Sequence, residues 1–377
     1  MEEIKKLYPL RFLPIGETFE WGGNTLAERY DKKFVESDEQ GNERRLEKGV
    51  KVAESHEIAD LGYRDSQVKE GWLAGNSISE IMDMYLDRVV GENVFEYFGR
   101  QFPIGVKFID ASGRIPLMVH PDDETAAQRY DFLGKAKMWY VVDAKPESRL
   151  FLGFSKDADV SSFYSSCLDG SVEKMLNVIS PRKGDCFVIE PGTVHSAADG
   201  VLLLEVSEAS PLDFCLSGWG KEVPEDEFDS SLSLVEALDF IDYKAYKTPE
   251  KTEGKLVKRR EFTVTRLDIK DPLHIIGEEA GSFAVYTCIE GEASIQVPGE
   301  DKSLESFILA AGETVLVPAE VDDFYLVPRR SDTVLIEAMV DKFEEDDKYI
   351  DPSVEPELPG ENEEFKFNSV YGRFSKN

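Results

Sequence analysis

Four cysteines, four histidines and four tryptophans are all that the 377 residues carry of the side chains that most often organise metal, redox and stacking chemistry. The cysteines stand at 167, 186, 215 and 288 and form no paired motif such as CxxC. That excludes a disulfide scaffold or a Cys-rich zinc module and points to a reducing cytosol. Basic residues are also scarce, 43 against 75 acidic ones, for a formal net charge of −32. Nucleic-acid backbones need clustered Lys and Arg, so they are excluded as general partners, and an anionic ligand must find a local group of cations. The run Glu344-Glu345-Asp346-Asp347 reads as solvated surface. No stretch approaches the ~18 apolar residues of a membrane span, and the opening MEEIKKLYPLRFLPIG has no sustained apolar region. A cytoplasmic chain without membrane contact is the expectation.

What is present is a chain long enough for two cores, with 41% hydrophobic residues. It is organised around Gly184–Ser210. Cys186–Ile189 and Val201–Val206 are apolar, β-branched runs bounded by Gly, Asp and Pro, and read as two short buried strands. Pro191-Gly192 bends the chain between them, and His195 opens the return segment as the leading candidate for chemistry. Gly105–Asp110 and Ile115–His120 read as further strands, the second ending on a histidine. Apolar residues at 78, 81, 82, 85, 86 and 89 mark one helical face, with Ser77 and Glu80 as a capping box and Gly91 as the stop. Asp157–Leu168 and Ser171–Val178 read as a helical insertion broken at Asp169-Gly170, and Ser233 with Glu236 caps a helix over 234–240.

Thr248–Lys258 is charged and poor in apolar residues, and reads as a domain linker. Beyond it, Phe262–Ile269, Phe283–Ile289, Ala293–Val297, Ser306–Leu309, Val315–Val317 and Val334–Met339 are strand candidates. The tail from Asp351 opens with Pro, Glu and Gly, and then offers Phe365, Phe367, Val370, Tyr371 and Phe374 as anchors against the body or a second subunit.

Gly184-Asp185 followed by Gly192-Thr193-Val194-His195 resembles the second cupin motif, and the wider wording is more specific. GTVH, GVLLLEVSEAS, Trp21-Gly22-Gly23, VHPDDE at 119–124 and Gly218-Trp219-Gly220 together resemble the type I mannose-6-phosphate isomerase family over nearly the whole chain. The resemblance implies a mainly β fold of two cupin, jelly-roll-like barrels with a small helical insertion. It sets an N-terminal cupin at 1–247, with helical segments 76–91, 157–178 and 233–240, a degenerate cupin without metal at 248–345, and an acidic tail at 346–377.

The family interconverts mannose 6-phosphate and fructose 6-phosphate through a cis-enediol beside a zinc ion. Of its zinc ligands, His120 and His195 match, while Met118 stands at a Gln position and Lys137 at a carboxylate position. Lys221 replaces the arginine of the WGR tripeptide, and His56 replaces a Trp, so it is expected not as a metal ligand but as a partly buried packing residue or a polar contact near the pocket. The catalytic candidates are therefore His120, Lys137, His195 and Lys221, with Lys135, Glu205 and Trp219 as substrate contacts. Either the Lys137 ammonium replaces the metal, or Lys137 turns outward and Glu124 or Glu205 completes a zinc site with the two histidines. The expected partner is a small sugar phosphate. The competing reading is a catalytically inactive sugar-phosphate-binding or regulatory homologue.

Overall fold

A computed structural model describes residues 5–37, 43–220, 230–248, 254–277, 281–299, 303–341, 366–369 and 372–375. The chain is mainly β, and its strands alternate in a way that assigns each face. In Ile104–Ala111, Val106 and Phe108 point to one side and Lys107 and Ile109 to the other, the period-two rule of a pleated strand. The same split runs through Lys137–Asp143, where Met138, Tyr140 and Val142 oppose Lys137, Trp139 and Val141. In Val201–Glu208, Leu202, Leu204 and Val206 oppose Leu203 and Glu205.

These strands belong to an eight-stranded sheet. Its order is Cys186–Ile189, Lys137–Asp143, Val201–Glu208, Ile104–Ala111, Glu54–Ile58, Ile15–Glu17, Val35–Ser37 and Glu43–Arg45. Only the Ile15–Glu17 and Val35–Ser37 pairing is parallel within it. A five-stranded sheet, Phe214–Ser217, Leu117–Val119, His195–Ala198, Arg149–Phe154 and Leu176–Ile179, packs against one face through Leu150, Leu152 and Ala197.

The other face is covered by the helices Ile78–Tyr85, Asp87–Val90 and Glu92–Phe98, and by a second β unit. That unit has a five-stranded sheet, Val257–Lys258, Thr263–Asp268, Val334–Met339, Ala284–Glu290 and Thr314–Val317. Its four-stranded sheet is Leu273–Ile276, Asp323–Pro328, Glu292–Pro298 and Leu304–Ala310. Phe262, Phe283, Val285 and Ile336 join the core around Val106 and Phe108, so the two units share one apolar layer.

Local chemistry explains most boundaries. The Ser77 hydroxyl accepts from the Glu80 N–H while the Glu80 carboxylate accepts from the Ser77 N–H, the reciprocal cap read from sequence. The single helix expected over 76–91 is instead broken at Leu86, which takes a positive φ of 49°. The insertion is an α-helix, Val160–Asp169, capped by Asp159, then a 3-10 turn, Val172–Met175. Residues expected to end its second helix are strand, because Val178 pairs with Phe151. The later helix is Ser230–Ala237 and starts before Ser233, which therefore does not cap it.

Three strands of the second unit escaped the sequence reading: Val257–Lys258 falls inside the expected linker but pairs with Thr263 and Val264, Leu273–Ile276 alternates weakly, and Asp323–Pro328 opens on acid and ends on proline. His274 pairs with Asp323 at 2.7 Å and stacks on Tyr325. Of the tail anchors, Phe365, Val370 and Tyr371 lie outside the described residues; Lys366–Ser369 and Gly372–Ser375 pair as antiparallel strands.

Candidate active site

Residues 117–120 and 195–198 bring the two family histidines together. His195 lies directly across from Met118 in the five-stranded sheet, and the His120 and His195 ring centroids are 5.1 Å apart. The turn that holds them needs its glycine. Gly192 has φ 80°, donates to the His120 carbonyl at 2.8 Å, and a Cβ there would stand 2.7 Å from the Phe240 carbonyl oxygen.

Opposite, the eight-stranded sheet presents a row of polar side chains at matched register. Glu17 faces Glu54, His56 faces Lys107, Lys107 faces Glu205, and Glu205 faces Trp139. With Lys135, Lys137, His195 and Asp213 these side chains line one pocket.

Lys137 is 3% exposed and turns inward. Its Nζ lies 2.8 Å from Asp213 Oδ1, 3.3 Å from His195 Nε2 and 3.8 Å from Glu205 Oε2. The His195 tautomer follows from its other nitrogen. Nδ1 lies 2.9 Å from the Thr193 carbonyl, which can only accept, so Nδ1 carries the proton and Nε2 presents a lone pair to the ammonium. Burial first, and then the Lys137 charge, push the His195 imidazole down to about 3 and His120 well below the ordinary histidine range, so both rings are neutral.

Asp213 also binds the Lys135 ammonium. Burial would raise its carboxyl, yet Lys135, Lys137 and Lys107 hold it well below the usual carboxylate range. Glu205, fully buried and receiving the Trp139 Nε1–H at 2.7 Å, is held at about 2 against its burial by Lys107, Lys137 and Lys135. Burial lowers the Lys137 amine from its ordinary value, and Asp213 and Glu205 oppose that fall.

A zinc ion on His195 Nε2 does not fit this arrangement. The lone pair it would use meets an ammonium at 3.3 Å, and Met118 offers no hard donor. The alternative in which Lys137 faces outward is thus corrected. Glu205 does reach the site, as a partner of cations, but Glu124 is exposed, accepts from Gln128 and does not line the pocket.

Trp219 was expected at the substrate. It is outside the pocket lining, donates to the Ile115 carbonyl at 2.7 Å, and stacks under Arg114 at 4.0 Å. Lys221 lies outside the described residues. His56 is the polar pocket contact, more than nine-tenths buried beside Glu17 and Glu54.

Sequence reasoning missed Asp213, Lys107, Glu54 and Glu17. A signal existed for two of them. Lys107 is the one charge between Ile104 and Ile109, and Asp213 interrupts an apolar approach to a buried strand. A charge in such a run is costly unless paired.

No family model matches the chain. Mannose-6-phosphate isomerase ManA of Bacillus subtilis is 25% identical over 330 residues, covering 84% of this chain and 95% of the relative. The chain resembles the mannose-6-phosphate isomerase family at low identity. Solved structures carry the same fold. The mannose 6-phosphate isomerase from Bacillus subtilis has a TM-score of 0.69 at 21% identity, covering 88% of this chain and 99% of that one. A mannose 6-phosphate isomerase bound with zinc and yttrium has a TM-score of 0.66 at 16% identity, covering 89% of this chain and all of that one. Within that fold, this chain sets the Lys137 ammonium 3.3 Å from His195 Nε2.

Proposed function

We propose that this protein is an aldose-ketose isomerase, interconverting mannose 6-phosphate and fructose 6-phosphate with the Lys137 ammonium in place of a metal. One observation carries the reading: Lys137 Nζ is held among His195 Nε2, Asp213 Oδ1 and Glu205 Oε2, facing the pocket. A base removes the proton at C2 of the aldose, the electron pair moves into a C1–C2 double bond, and the former C1 carbonyl oxygen takes up negative charge. A fixed ammonium in a water-poor site stabilises that oxygen as it develops, and a burial-lowered amine is suited to donate a proton to it. Glu205, ionised and lining the pocket, is the acceptor for the C2 proton and returns it to C1; the other proton shifts from O2 to O1.

A second reading, a sugar-phosphate-binding protein without turnover, has its own support. Lys107, Lys135 and Lys137 gather three cations in one pocket, which suits an anionic sugar, while the Asp213 carboxylate competes with a developing oxyanion for the Lys137 ammonium. An assay of the chelator-treated protein with mannose 6-phosphate separates the two. The isomerase reading expects fructose 6-phosphate to form without added metal, and Lys137→Met to lower kcat by about 100-fold or more. Turnover that requires zinc, or a Lys137→Met variant as fast as the parent, overturns the lysine mechanism. Binding of mannose 6-phosphate without conversion establishes the second reading.

A further inference from the structure

At the other end of the polar row, Glu17, Glu54 and His56 converge. Strand geometry fixes them: Glu17 and Glu54 are direct partners across antiparallel strands, and Glu54 and His56 are two residues apart on one face. His56 Nε2 lies 3.2 Å from Glu17 Oε1 and 3.6 Å from Glu54 Oε2. A tetrahedral ion with bonds of about 2.1 Å has ligand-to-ligand edges of about 3.4 Å, which these distances bracket.

The histidine supplies the independent sign. It is 7% exposed, aimed between the two carboxylates, and no aligned hydrogen bond reaches its Nε2, although Glu17 Oε1 lies 3.2 Å away. A buried nitrogen left without an aligned partner is destabilising, and a metal would satisfy it. The carboxylates are steadied from behind, since Arg64 donates to Glu17 Oε1 at 2.6 Å and Lys107 to Glu54 Oε2 at 2.8 Å. Each of those oxygens retains a second lone pair, and ligating carboxylates are ordinarily hydrogen-bonded in this way.

We infer that Glu17, Glu54 and His56 form a divalent-metal site, distinct from the His120 and His195 position, with its open coordination facing the pocket. One imidazole and two carboxylates suit zinc or manganese rather than a thiolate-seeking ion. The inference does not depend on turnover at Lys137.

The test is calorimetric titration of the metal-stripped full chain with zinc chloride and, separately, manganese chloride, followed by elemental analysis after dialysis. One equivalent is expected to bind. His56→Gln and Glu54→Gln should each weaken binding at least ten-fold, and His195→Ala should leave it unchanged. Thermal melts monitored by circular dichroism verify folding, and if His56→Gln fails to fold then Glu54→Gln decides. No uptake by the intact chain overturns the site, as does uptake insensitive to both substitutions or uptake lost in His195→Ala.

Discussion

At the scale of single residues, Lys137 determines what the site can be. An ammonium about 4 Å from a divalent ion is opposed by roughly 8 kcal/mol at an effective dielectric of 20, before the loss of the carboxylate's attraction is counted. The double substitution Lys137→Glu with Met118→Gln should therefore add one equivalent of zinc to whatever the parent binds. Elemental analysis checks this, and a further His195→Ala should remove the added ion. His120 and His195 were legible because their strings are distinctive and each borders a strand. The inward direction of Lys137 was not, since period two fixes a side chain's face only after the register to Trp139 and Glu205 is known. Asp213 was invisible for a related reason, as its role rests on meeting Lys135 and Lys137, more than 70 residues away in sequence.

Among elements, the helix Asp123–Tyr130 carries an unusual burden. Asp123 Oδ1 accepts from the Gly134 N–H, but burial, and next the charge of Glu261, push its carboxyl up to about 7. Glu208 is raised well above its ordinary value by burial and then by Asp123. For a carboxyl raised on folding, the stabilising contribution is full below the unfolded value near ~4 and is lost as pH rises through the folded one. Asp123→Asn should therefore flatten the decline in stability between pH 5 and pH 8 by roughly 1–3 kcal/mol, read from urea unfolding at the two pH values. A parent as stable at pH 8 as at pH 5, relative to the variant, would contradict this.

The helix Ile78–Tyr85 offers a cleaner case. Removing its cap with Ser77→Ala should cost about 1 kcal/mol by the same measurement. This cap was legible because it is local, four residues in one turn. The break at Leu86 was not, because the apolar stripe continues through Val89 and no glycine or proline marks the positive φ.

Across the whole molecule, the sequence separates two strand-rich halves, whereas the core does not respect that division. Phe102 of the first half meets Phe283 of the second with ring centroids 4.8 Å apart, both fully buried in a cluster drawn from both halves. Differential scanning calorimetry should accordingly show one cooperative transition; two resolved transitions would mean that the halves fold independently. A strand-like run in sequence carries no record of which distant sheet will cover its far side. Leu10 and Leu316 exchange backbone hydrogen bonds of 2.7 and 2.9 Å, and the Leu7 N–H donates to Glu320. During synthesis Leu7 therefore emerges 313 residues before the Glu320 that it binds. Until then, the apolar layer that Leu7 and Leu10 help to seal is left open, and a nascent chain of this protein is a natural client for chaperones.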